Sequence, residues 1–413
     1  MNVYAVASVW LGGGLGATVL VRTTRLKLLA TVAPFAGALA TAFAAVGPHL
    51  SPALTGDALT IDRAGQGLLI AAAGSFTLAI LLARRLDGSE AAICGLVGAA
   101  TVFALAASSP VLWSIVLLAG MGALAVRWIA ISPSRATLAG GRVPTTGAAA
   151  LLAASPFLPV VGVITGPRPA IAAGLLAGGI VALLALIPMG GWATAVLPAL
   201  RGIDVAPWVV FLAPAVLLTA ERIPAGTPAA GDAFGRVMLS AGLASAVWGS
   251  FQAVRAQGRA RYVRMLLADL GLSAAAIGTA HPGLALTGGL LILLTHFALA
   301  PVMLAPVGAG DRSRRLAWVA LAGVPPTPTF WGRFVLLEAI FQVGSGEIVA
   351  SLLSVGLLFF AAVMAALPRA EHGRDIGDAS YGGGRRVLVW VAVLAAFAIG
   401  AAPAAASAVV FGG

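Results

Sequence analysis

Apolar runs of about 20 residues, parted by short polar breaks, recur from one end of this sequence to the other, and each is long enough to cross a hydrocarbon layer about 30 Å thick as a helix. The pattern predicts spans at 3–21, 28–47, 65–83, 91–108, 110–130, 146–166, 169–189, 206–220, 234–254, 265–280, 283–306, 316–341, 348–367 and 387–410. That makes about fourteen helices and an all-α polytopic membrane protein. The first run has no basic leader and a second follows almost at once, so a cleavable signal is not expected.

Composition agrees with the pattern. Of 413 residues, 60% are hydrophobic and 9% charged, against about 25% charged in soluble domains, which excludes a water-soluble enzyme. The net charge of +11 would suit nucleic acid in a soluble protein, but here the basic residues sort by side of the membrane. Arg22, Arg25, Lys27, Arg84, Arg85, Arg135, Arg142, Arg201, Arg255, Arg259, Arg261, Arg264, Arg312, Arg314, Arg315, Arg369, Arg374, Arg385 and Arg386 fall on one side. Opposite them stand Arg63, Arg168, Arg222 and Arg236. The reading is a multi-pass protein of the cell inner (cytoplasmic) membrane with both termini outside, its partners the lipid bilayer and other membrane subunits, with no nucleic acid. Cys94 is the single cysteine, so no disulfide framework or thiolate cluster is expected. His49, His281 and His372 lie in loops without metal-ligand spacing, and no metal site is expected.

Two spans are interrupted in related ways. Pro188-Met-Gly-Gly-Trp192 ends the seventh and Pro325-Pro326-Thr-Pro328 sits within the twelfth. Proline removes a helical donor and frees backbone carbonyls, which membrane proteins tolerate where the break faces protein or a water-filled cavity. The breaks lie five spans apart, and an odd offset places corresponding spans in opposite orientations. Spans 4–8 and 9–13 are therefore read as two inverted five-helix repeats with broken helices 7 and 12; ordinary proline kinking is the simpler alternative. The domains expected are a three-helix segment at 1–83, repeats at 84–230 and 231–368, a cytoplasmic loop at 369–386 able to dock a partner, and a last helix at 387–413.

The segment from Leu321 to Phe334, LAGVPPTPTFWGRF, resembles the broken twelfth helix of the antiporter-like membrane subunits of respiratory complex I, most nearly the quinone-proximal branch related to mitochondrial subunit two. Asp62 before the third span, Arg264-Met-Leu-Leu-Ala opening the tenth, Thr295-His296-Phe297-Ala298 in the eleventh and Pro188 with Trp192 in the seventh follow in the family's order. The resemblance implies fourteen helices with both ends outside, and a charged axis: a glutamate on the fifth helix, lysines on the seventh, eighth and eleventh, and a charged group on the twelfth. Those positions fall here near Gly122, on Leu183, near Thr219 and on Ala300, none of them charged, and only Arg333 survives in kind. Arginine holds its proton too tightly for a relay cycle. A degenerate, non-pumping homologue is the resulting expectation.

The remaining interior polar residues each carry two readings. Arg333 and Glu338 form either a buried structural ion pair or a terminal proton exit. Asp269 is either a local interfacial partner of Arg264 or a proton-loading acid. His296 is either a proton relay, its ordinary pKa being near 6.5, or a neutral buried side chain bonded to a freed carbonyl. Glu221 and Arg222 read as a solvated pair, and the 52 glycines as contacts for close helix packing. No ligand set for flavin, iron–sulfur cluster or quinone is visible, so no cofactor is expected. The expected function is that of a structural membrane-arm subunit, itself non-catalytic, in a complex I-like redox-driven assembly, an energy-converting hydrogenase relative or an Mrp-type antiporter. The rival is a self-contained secondary cation/proton or solute transporter whose substrate binds where the broken helices meet.

Overall fold

A computed structural model of the chain describes residues 7–14, 37, 61, 63–83, 88–107, 110–132, 134–154, 168–222, 228–279, 281–305, 312–367 and 383–402. His49, Asp62, His372, the second span apart from Gly37 and most of the 369–386 loop lie outside the described residues, as do the side chains of Glu221 and Arg222. After a helical stretch at 7–14 come α1 (Arg63–Leu82), α2 (Gly88–Ala106), α3 (Pro110–Ile131), α4 (Arg135–Ala154), α5 (Arg168–Leu183), α6 (Gly191–Val196), α7 (Gly202–Pro207) and α8 (Ala213–Arg222). They are followed by α9 (Pro228–Arg255), α10 (Gly258–Ile277), α11 (Pro282–Leu304), α12 (Arg312–Ala322), α13 (Pro328–Phe341), α14 (Ser345–Ala366) and α15 (Gly383–Ala401). Among the described residues six helices are long and apolar enough by themselves to cross a membrane. The architecture is the expected all-α polytopic one.

Boundaries moved where charge had masked a helix. The sixth span begins at Arg135 rather than 146, because Arg135 and Arg142, two turns apart, lie on one exposed face and leave the other apolar. The tenth begins at Gly258, its first two turns carrying Arg259, Arg261 and Arg264.

The eighth span is buried along its whole length. It runs from α7 through a π-helical turn, Trp208–Leu212, into α8. Pro207 and Pro214 flank that turn, and each removes a backbone donor, so the ladder slips between them. The π turn touches α1, α2, α3 and α11, and Phe211 packs tilted against Phe76 and edge-to-face against Trp10 at ring separations of 5.1 and 5.5 Å. In the second half α10 packs between α9 and α11, and α11 against α13. Glycine pairs set the crossings: a Cβ on Gly271 would meet the Gly242 carbonyl at 2.7 Å, and one on Gly332 would meet that of Gly288 at 2.7 Å. Small residues at helix contacts allow this approach.

Both breaks share a local geometry. In the first, Ala185 has φ 56°, three residues before Pro188; in the second, Gly323 has φ 78°, three residues before Pro326. The last helix, α15, crosses the second break so closely that a Cβ on Gly400 would collide with the Pro326 carbonyl oxygen, and Trp331 Nε1 donates to the Gly400 carbonyl at 3.1 Å.

Candidate functional site

Each break leaves carbonyls without helical donors, and the two halves satisfy them with different chemistry. At the first, the Trp192 indole N–H donates to the Ala182 carbonyl and the Trp208 indole N–H to the Leu183 carbonyl, each at 3.2 Å. The Ile187 N–H donates to Ser245 Oγ at 2.7 Å. Trp128 packs tilted against Trp192 and Trp192 edge-to-face against Trp208, with centroids 5.8 and 5.5 Å apart, and all three are buried. The interior around the seventh-helix break is therefore filled by aromatic rings with their N–H groups already engaged.

At the second break the same task falls to a guanidinium. Arg333 Nη1 donates to the Ala322 carbonyl at 2.9 Å and Nη2 to the Leu321 carbonyl at 3.1 Å, capping the end of α12. The opposite edge meets Asp269 on α10, Nε to Oδ1 at 2.9 Å and Nη2 to Oδ2 at 3.0 Å. This two-pronged pairing is the strong form of such contacts. His296 on α11 places Nε2 3.1 Å from Asp269 Oδ2, and its Nδ1 lies 3.4 Å from the Tyr262 hydroxyl. Asp269, His296 and Arg333 are each no more than 2% exposed. An ionised carboxylate only accepts, so a neutral His296 carries its proton on Nε2 and offers Nδ1 to Tyr262. Asp269 and Arg333 cancel in charge, and the cluster is closed on itself.

This placement differs from the pairings expected. Arg333 faces Asp269, and Glu338 is exposed on the other side of α13, so the Arg333–Glu338 pair is not made. Nor does Asp269 pair with Arg264, which donates to the Gln252 carbonyl at 3.2 Å; with Arg261, bonded to the Ala253 and Ala256 carbonyls, it caps the end of α9. His296 bonds to Asp269 and Tyr262 rather than to a freed carbonyl. Pro188 and Trp192 sit at the first break, Pro325 and Pro326 at the second. Of the positions matched to the family's charged residues, Leu183 and Ala300 are buried and apolar. Thr219 is buried and donates to the Ala215 carbonyl at 2.6 Å. Gly122 faces outward, since a Cβ there meets nothing within 4 Å; Met121, fully buried, holds the interior.

A second charged cluster escaped the sequence reading. Arg127 on α3 donates Nη2 to Glu90 Oε1 at 2.8 Å, Nε to Asp204 Oδ1 at 3.2 Å and Nη1 to Ser89 Oγ at 2.8 Å. Arg201 bonds the same two carboxylates, reaching Asp204 Oδ2 at 2.9 Å through Nε. Trp128 Nε1 adds a bond to the Asp204 carbonyl at 3.0 Å. Glu90 and Asp204 are buried, and the cluster ties the ends of α2, α3 and α7 together. Arg127 carries the signal that could have exposed it: a lone arginine at the end of an apolar span requires a partner. Among the described residues no group of three or more His, Cys, Asp or Glu side chains could hold a metal ion.

No protein-family model and no curated protein matches the sequence. Solved structures do match the fold along its length. A chain of the membrane-bound sulfane sulfur reductase, an archaeal respiratory membrane complex, superposes with a TM-score of 0.85 at 14% identity over 99% of this chain and 96% of its own. A chain of respiratory complex I from Thermus thermophilus, determined with bound aureothin, gives 0.76 at 17% identity, with 97% of each chain covered. A chain of the Mrp complex from Dietzia sp. DQ12-45-1b gives 0.78 at 14% identity over 100% of this chain, which spans 52% of that longer one. The fold is thus shared with chains of these respiratory and Mrp complexes.

Proposed function

We propose that this chain is a membrane-arm subunit of a complex I-like, proton-translocating assembly, and that it serves there as a structural element rather than as a pump. The fold shared with chains of respiratory complex I, the sulfane sulfur reductase and the Mrp complex supports the first part. The filled first break supports the second: where the resemblance places a proton-carrying lysine, Leu183 lies against an edge-to-face pair of tryptophans whose N–H groups are spent on backbone carbonyls. Moving protons needs ionisable groups in hydrated pockets, and the Asp269–Arg333–His296 cluster, each member bonded to another, suits a fixed joint between α10, α11 and the α12–α13 break. Complex I, an energy-converting hydrogenase relative and an Mrp-type antiporter all fit as the parent assembly. The basic faces of the loops favour the inner membrane, with both termini outside.

Two measurements test this. Mass spectrometry of the assembly solubilised in mild detergent is expected to find companion membrane subunits; proton or cation movement by the purified chain alone in liposomes would instead make it a self-contained transporter. In vesicles carrying the assembled complex, His296→Leu and Glu338→Leu are expected to leave proton translocation per turnover unchanged. Lost translocation with assembly intact would overturn the structural reading and make these residues part of a proton path.

A further inference from the structure

The long helix α9, 28 residues, carries an unbroken exposed stripe at Arg236, Ser240, Ala244, Trp248, Phe251 and Arg255. At about 1.5 Å per residue, the rise from Arg236 to Arg255 is about 28 Å, which matches the hydrocarbon thickness of about 30 Å. The two arginines therefore mark the two headgroup levels, and the stripe between them faces the acyl region. At its C-terminal end three side chains are stacked in advance. The rings of Trp248 and Phe251 lie 5.9 Å apart and nearly parallel, and the Arg255 guanidinium sits over the Phe251 ring at 4.4 Å. Trp248 is 52% exposed.

The other arginines of this turn are committed to carbonyls: Arg259 to Leu200, Arg261 to Ala253 and Ala256, Arg264 to Gln252. Arg255 bonds to no carboxylate or carbonyl among the described residues. A guanidinium held face-on to a ring keeps its N–H edge free, and that edge matches phosphate oxygens. Below it lie two flat aromatic surfaces of the kind that gather at membrane interfaces. Further down, the small side chains of Ala244 and Ser240 leave room against the helix.

We propose that this stripe binds one anionic phospholipid of the leaflet at which α9 ends, its phosphodiester on Arg255 and an acyl chain along Phe251, Trp248 and Ala244. Charge selects the occupant: a cation at headgroup level with its N–H edge unengaged favours a net-negative headgroup over a zwitterionic one.

Phospholipids brominated on their acyl chains quench nearby tryptophan, and the difference between the full chain and its Trp248→Phe variant isolates quenching at this stripe. Brominated phosphatidylglycerol is expected to half-quench that component at about one-fifth the concentration needed of brominated phosphatidylcholine. Arg255→Gln is expected to remove the preference while leaving the phosphatidylcholine value unchanged, which also reports an intact fold. Equal quenching by the two lipids, or a preference that survives Arg255→Gln, overturns the proposal. So does a Trp248 component that no brominated lipid reaches in the intact assembly, which would assign the stripe to a protein neighbour.

Discussion

Replacing Asp269 with leucine probes the buried joint most directly. The carboxylate is 1% exposed and accepts from Arg333 at 2.9 and 3.0 Å and from His296 at 3.1 Å. Removing it leaves a buried arginine without its counter-charge, a loss of about 3–5 kcal/mol. Arg333→Met strands the carboxylate in turn, and also bares the Leu321 and Ala322 carbonyls, each left unpaired at about 1–3 kcal/mol. The double variant contains no lone charge, so only unpaired carbonyls and the His296 N–H remain. Its destabilisation is expected to fall short of the sum of the singles by about 3 kcal/mol or more. It does not return to wild type, because leucine and methionine cannot cap α12. Unfolding in mixed micelles, measured for all four proteins, gives the coupling. Single effects that add to within about 0.5 kcal/mol would refute the view that Asp269 and Arg333 are held chiefly by each other.

Two further outcomes follow from the breaks. Trp208→Phe keeps most of the ring but loses the donor to the Leu183 carbonyl, and is expected to lower stability in the same assay by about 1–3 kcal/mol. Ala185→Gly relieves a left-handed alanine and is expected to stabilise by about 1 kcal/mol, whereas Gly323→Ala is expected to destabilise, since φ is 78° and the added Cβ would sit 2.9 Å from Arg333 Nη1.

The described spans and both breaks were legible in the sequence because hydrophobic length and proline act locally. Partners were not, and the two mispairings have one cause. Glu338 follows Arg333 by five residues and Asp269 follows Arg264 by five, an offset of about 140° around an α-helix. Nearness along the chain therefore meant opposite faces, and each interior charge found its partner on another helix. The cluster of Glu90, Arg127, Arg201 and Asp204 was hidden differently: only Arg201 and Asp204 are near in sequence, and Glu90 and Arg127 join them where α2, α3 and α7 converge. The tryptophan cluster was partly hidden: Trp192 marks the first break in the sequence, but Trp128 and Trp208 read singly as ordinary apolar residues, and only the fold packs the three rings together.

The seat of Gly400 on the second break joins two parts of the chain mechanically. With backbone resting on backbone at Pro326 and no side chain between them as cushion, α12 and α13 cannot straighten unless the final helix lifts. A spin label on α15 would thus register any movement at the break from outside the core, with the buried joint itself left untouched.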